Sequence, residues 1–146
     1  MGCDFCVYLP DEKGDHDCGM AYSSFNAVRS DVVFAYLKVK GIEDKLKIED
    51  DMEKFALSLN IVPHSTEEKV SKILRELYTD EGDSMLALWE HSDCDGSFCA
   101  EDCRNLGRLI KELLPHIENK YTRVHAEVLA ETFKYAGERD GIVEVC

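Results

Sequence analysis

The sequence predicts an α+β fold, a mostly helical single globular domain (1-146) with a small antiparallel sheet formed by the terminal strands. Three observations predict it. Apolar residues recur at helical spacing through most of the interior. Both ends carry short runs of strand formers. No internal repeat or low-complexity linker divides the chain. At 146 residues with a hydrophobic fraction of 45%, one Trp, six Tyr and six Phe, the chain has the size and the large side chains for one real core.

The elements follow in order. Residues 3–9, ending at Pro10, read as a strand, followed by a polar loop over 11–19. Ser23 or Ser24 caps a helix running to about Lys40 and closed by Gly41, with Phe25, Val28, Val32, Tyr36 and Val39 inward. A second helix is expected over 43–59, with Ile48, Met52, Phe55 and Leu59 inward and Glu49, Asp50, Asp51 and Glu53 on the solvated face. Ser65 and Glu68 form a capping box, opening a helix to about Thr79 that buries Val70, Ile73, Leu74 and Leu77. A break is expected at 80–83, and 84–90 fits either a buried strand or a short helix.

From about Ala100 a helix carries Cys103, Leu106, Ile110, Leu113 and Leu114 inward until Pro115. The last helix runs from Thr122 to near Gly137, with Val124, Val128, Phe133 and Ala136 buried. Residues 142–145 alternate like an edge strand able to pair with the N-terminal one.

Charge restricts the partners. Thirty acids against seventeen bases give a formal charge of −13, which repels nucleic-acid phosphates and anionic membranes and suits a basic protein or a cationic ligand. Net charge also maintains solubility in its own right. Seven cysteines, with no secretory signal and no run long enough to span a membrane, point to a cytoplasmic protein with reduced thiols. Met1-Gly2-Cys3 resembles the start of a dual-acylation signal. Cys6, however, stands where that signal needs Ser or Thr, and no polybasic segment follows.

The most distinctive run is His91-Ser92-Asp93-Cys94-Asp95-Gly96-Ser97-Phe98, followed by Cys99-Ala100-Glu101-Asp102-Cys103. Three readings compete. As a calcium loop it places Asp93, Asp95, Gly96, Ser97 and Asp102 suitably, but His91 replaces the first carboxylate and Asp102 is shorter than the usual Glu. As a zinc site, His91, Cys94, Cys99 and Cys103 have an H-x2-C-x4-C-x3-C spacing that matches no common finger. Cys3-x2-Cys6 with His16-x-Cys18 is a second, equally irregular cluster. As a structural turn, Asp93, Asp95 and Gly96 deliver the chain to a helix. Glu101 and Asp102 then sit at its positive end, and Cys103 is a buried helical residue.

Catalysis has less support. Cys94 lies between two aspartates that favour the neutral thiol, and His91 as its base lacks an identifiable orienting partner. No nucleophile elbow, Walker loop, dinucleotide fingerprint or HExxH motif is present. His64, His116 and His125 are isolated.

Met1-Gly2-x-Asp4, Tyr22-Ser23-Ser24-Phe25 with Arg29, and the His91–Gly96 run with Cys103 resemble an uncharacterised family of small bacterial and phage proteins. In that family the run after Gly96 often reads like Phe-Ser-Pro-Glu-x-Cys, a helix cap; here Cys99-Ala100 replaces Ser-Pro. The resemblance implies no established activity. It groups His91–Gly96 with Tyr22, Ser24 and Arg29, which would face the loop across a pocket.

Three function classes follow. The leading one is a non-enzymatic acidic binding protein, of an accessory, immunity or inhibitor kind, contacting a basic partner. The second is a metal- or small-polar-ligand-binding module, with His91, Ser92, Asp93, Asp95, Tyr22, Ser24 and Arg29 around the ligand. Zinc or calcium would be held by His91, Asp93, Cys94, Asp95, Cys99 and Cys103. The third is a thiol-dependent hydrolase built on Cys94 and His91.

Overall fold

A computed structural model describes residues 2–146. The element order is β1 (Gly2–Tyr8), β2 (Cys18–Ala21), α1 (Tyr22–Val39), a 3-10 turn (Glu43–Lys45), α2 (Asp51–Ser58), α3 (His64–Arg75) and α4 (Asp80–Glu90). It continues with β3 (Ser97–Phe98), α5 (Ala100–Leu113), a 3-10 turn (Leu114–His116), α6 (Lys120–Glu138) and β4 (Ile142–Val145). This is the mostly helical α+β domain that the sequence predicts, and the terminal strands do pair.

The sheet has the order β2-β1-β4-β3, antiparallel throughout, with Phe5 opposite Val145 and Cys3 opposite Met20. Strand alternation sends Cys3, Phe5 and Val7 inward, and Val143 and Val145 with them. Helices cover that face: Phe5 meets Phe25 of α1 edge-on at 5.0 Å, and Phe98 meets Phe133 of α6 at 5.0 Å. The strand 142–145 is not an edge, because β3 flanks its other side. Strands β2 and β3 are too short and too poor in β-branched residues to carry a strand pattern. Gly19 in β2 lies so close to the Asp4 carboxylate that a Cβ would stand 2.6 Å from its oxygen.

Helices α5 and α6 form the closest pair. A Cβ on Gly107 would stand 2.8 Å from the Lys134 backbone nitrogen, and one on Gly137 would stand 2.7 Å from that of Arg104. The inward residues of α5 are as expected, with Leu114 only half-buried and Pro115 in the closing 3-10 turn. In α6 Phe133 and Ala136 are buried as expected, but the first half of the stripe is rotated. Val124 and Val128 are exposed, while Ala126, Leu129, Ala130, Phe133 and Ala136 are buried. Small residues permit the close approach to α5, so packing distance rather than side-chain size chose the face. The N-cap of α6 is Asn119, which accepts from Tyr121 N and Thr122 N.

Other boundaries also shift. Helix α1 starts at Tyr22 after Ala21, with no side-chain cap from Ser23 or Ser24, and Val39 is exposed. Helix α3 begins at His64, so Ser65 lies inside it rather than capping it; Pro63 occupies the cap position. It ends at Arg75, short of Thr79, and Tyr78 adopts a left-handed φ of +52°. The expected break at 80–83 is the first turn of α4, with Thr79 Oγ1 accepting from Gly82 N at 3.0 Å. The ambiguous 84–90 segment is therefore helix.

The largest difference is α2. It is shorter than expected, and its burial is inverted: Met52, Phe55 and Leu59 are exposed, whereas Glu53 is covered. Glu53 accepts from the fully buried Thr66 Oγ1 of α3 and pairs with Lys69 Nζ at 3.3 Å. That polar tether fixes which side of α2 faces the protein.

Candidate functional site

The His91–Gly96 loop leaves the C-terminal end of α4 and enters the edge strand β3. Its geometry is internally determined. Gly96 takes a φ of +93°, a conformation that other residues rarely adopt, and its carbonyl accepts from Val145 N at 2.8 Å. The His91 ring lies flat on Phe98, with centroids 4.0 Å apart and planes 16° from parallel. His91 Nδ1 is 2.7 Å from Ser92 O, and Ser92 Oγ accepts from Cys94 N at 3.2 Å.

Arg29 is the brace of this loop. Half-buried on α1, its guanidinium donates to the His91 carbonyl and to Asn26 Oδ1, and lies 5.1 Å from the Phe25 ring centroid. Burial lowers the Arg29 pKa from its ordinary value, opposed by the charges of Asp93 and Glu67. The structure thus brings Arg29, His91 and Asp93 together, as the sequence grouping proposes. Tyr22 packs against the core, Ser24 is buried, and among the described residues no hydrogen bond joins either to the loop. Asn26 and Phe25 are partners that sequence reasoning missed; the signal was the i, i+3 and i, i+4 spacing to Arg29 on one helix.

The cysteines diverge. Cys103 is buried on α5, its thiol donates to Phe98 O at 3.6 Å, and burial pushes its pKa up to about 12. Cys99 is exposed at the N-cap of α5 and makes no side-chain cap bond. Cys94 is exposed, with Sγ 3.2 Å from Ser92 Oγ, and no hydrogen bond links it to His91. Asp95 and Ser92 face solvent. In the second cluster, Cys3 and Cys6 have opposite strand parity, so one thiol points inward and the other outward. Among the described residues, no group of three or more His, Cys, Asp or Glu is placed to hold a metal ion.

The hydroxyl of Ser84 on α4 donates to Asp102 Oδ1 at 2.7 Å and accepts from Asn105 Nδ2 at 3.0 Å, which ties α4 to the first turns of α5. Two clefts lie elsewhere. One of about 390 Å³ is lined by Arg104, Arg108, Lys111, Glu112, Lys134 and Glu138 between α5 and α6. The other, about 250 Å³, lies beside Tyr36, Leu77 and Thr79. Among the described residues, no helix is long and apolar enough to cross a membrane.

The loop therefore has a built scaffold and an exposed acidic rim. No family model matches the chain, and no curated protein or solved structure shows significant similarity to it.

Proposed function

We propose that the chain is a non-enzymatic binding protein that engages a basic protein partner through an acidic face made by α4, the His91–Gly96 loop and the start of α5. The observation that carries this reading is a charge asymmetry. From Glu76 to Cys103 the chain holds nine Asp or Glu and no Lys or Arg. Glu76, Asp80, Asp83, Asp95 and Glu101 are exposed and make no ion pair among the described residues. Helix-terminus electrostatics account for placing Asp80, Asp83 and Glu101 in first turns. They do not account for the lack of any base within this span of sequence, whose acids Glu81 and Glu90 pair only with Lys40, Arg75 and Arg108 from outside it.

A face of this kind steers cationic proteins by long-range attraction and rejects phosphate chains. Nucleases and other nucleic-acid-binding proteins are the partner class that fits, because their own sites are built to receive dense negative charge. An accessory or inhibitor role in a cytoplasmic setting follows from that fit.

The test is affinity capture with the wild type and with Asp80→Asn/Asp83→Asn/Asp95→Asn/Glu101→Gln. The expected result is a basic protein retained by the wild type, released by salt, and lost with the variant. Partners that bind both forms equally, or whose binding is unchanged when salt shortens the Debye length to roughly 3 Å, would refute the reading.

A further inference from the structure

We infer that the outward apolar face of α2 is a docking surface for a cationic amphipathic helix of a protein partner. The inference rests on the acidic-face reading and supplies that contact with an apolar anchor. Met52, Phe55 and Leu59 lie at i, i+3 and i+7 on one stripe and are 77%, 65% and 55% exposed; Ile61, just beyond the helix, is 57% exposed. Such a stripe is normally what holds a helix to its own core.

The orientation is built in at both ends. Asp50 caps the N-terminus, accepting from Met52 N at 2.8 Å. At the C-terminus Asn60 takes a φ of +61°, with Asn60 N donating to Leu57 O and Ile61 N to Ala56 O, the paired bonds of a Schellman motif. This turn brings Ile61 back beside the helix. On the inner side Glu53 is held by Thr66 and Lys69, and Lys69 Nζ also donates to Lys47 O at 3.1 Å. Rolling α2 over to bury Phe55 would break that network and expose it. Large apolar side chains this exposed and grouped on one helix face often belong to a functional surface patch.

Charge selects the occupant. Glu49, Asp50 and Asp51 are exposed at the N-terminal rim of the patch, while Lys54 lies on the opposite side of α2 from Met52. Lys45 and Lys47 precede the rim. In the first turns of α3, Glu67 and Glu68 are exposed beside His64, and Trp89 Nε1 of α4 donates to Glu67 O at 3.1 Å. Helix α3 thus links α2, through Thr66 and Lys69, to α4, through Trp89. A second copy would bring a charge of −13 against another. A helix with an apolar stripe and flanking Lys or Arg satisfies both parts of the surface, and flexible Met52 adapts to the side chains presented.

The experiment uses the full chain and two labelled peptides read by fluorescence anisotropy: a Leu/Lys amphipathic helix and a scrambled peptide of identical composition. The wild type is expected to bind the amphipathic peptide about tenfold more tightly than the scrambled one. Met52→Ser/Phe55→Ser should abolish that preference with an unchanged far-ultraviolet circular dichroism spectrum; Leu59→Ser serves if the double variant loses helix. The charge variant of α4 and the loop should weaken both peptides alike and keep the preference.

Equal binding of the two peptides, or a preference that survives Met52→Ser/Phe55→Ser, overturns the docking face and leaves the acidic face standing. Failure of both peptides to bind overturns both readings. A wild-type dimer in sedimentation that Phe55→Ser dissociates reassigns the patch to self-contact. Binding to zwitterionic vesicles that Phe55→Ser abolishes reassigns it to lipid.

Discussion

Arg29→Met tests whether the guanidinium braces the 91–96 loop or waits for a ligand. The substitution keeps an unbranched apolar stem and removes the donors to His91 O and Asn26 Oδ1 together with the charge over Phe25. Hydrogen bonds from a charged group contribute about 1.5–3 kcal/mol each, and a cation–π contact about 0.5–1 kcal/mol. Arg29 is only half-buried, so water replaces part of what the released His91 carbonyl loses. A net loss of about 2 kcal/mol is expected, near 1 M in the urea midpoint for a slope of about 2 kcal/mol/M. Equilibrium urea unfolding followed by Trp89 fluorescence reads it, and alkylation of Cys94 reads the loop separately. The expected pattern is a lowered midpoint with an unchanged slope and faster modification of Cys94. A midpoint equal to the wild type would refute the brace and return Arg29 to the ligand-binding reading.

At the α5–α6 crossing, Gly137→Ala gains about 1 kcal/mol of helix propensity but places its Cβ against the Arg104 backbone, where an overpacking cost of about 1–3 kcal/mol applies. Net destabilisation is expected in thermal unfolding; an unchanged or raised midpoint would show that the helices separate freely. The Glu53 pKa is lowered from 4.5, chiefly by the Thr66 hydroxyl and then by Lys69, with burial opposing. Its contribution is therefore complete above the unfolded value and is lost as pH falls below it through the folded one. Protection of the α2 amides, measured as exchange relative to the intrinsic rate at each pH, should fall on acidification through that window in the wild type, whereas Glu53→Gln should show low protection at neutral pH already. The Cys6 thiol, 3.8 Å from Cys146 Sγ, is pushed up to about 11 from 9.0, by burial and by Cys146. Alkylation of Cys6 near neutral pH should run about a hundredfold slower than that of a thiol with an ordinary pKa, a difference that Cys146→Ser should narrow.

The parts of the fold legible in the sequence are those where one signal dominates. Helix α1 shows its stripe because Phe25, Val28 and Val32 are all buried on one face, and α5 because Cys103, Leu106 and Ile110 are likewise buried. Strand β1 announces itself by its strand formers before Pro10, and β4 by alternation. What stayed hidden depended on distant partners. The burial of Glu53 requires Thr66 and Lys69, which nothing near residue 53 foretells, so the hydrophobic stripe of α2 gave the opposite orientation. The rotation of α6 follows from Gly107 and Gly137 drawing two backbones together. At the loop, the link between Arg29 and His91 was anticipated. The shape of the turn was legible in Gly96, whereas the stacking of His91 on Phe98 was not.

The pairing of β1 with β4 has a kinetic consequence. Phe5 finds Val145, and Asp4 exchanges backbone bonds with Cys146, only after all the helices between them have been synthesised. Until then β1 has β2 alone beside it, and a two-stranded ribbon is marginal in water. The α5–α6 hairpin, made of contacts local in sequence, can form first and present Phe133 and Ala136 as a template. Strand β1 would then dock last, so a segment made before every helix is committed to structure after them. Nascent chains halted before Ile142 should leave Phe5 and Val7 open to chaperones, although every helix of the domain is already encoded behind them.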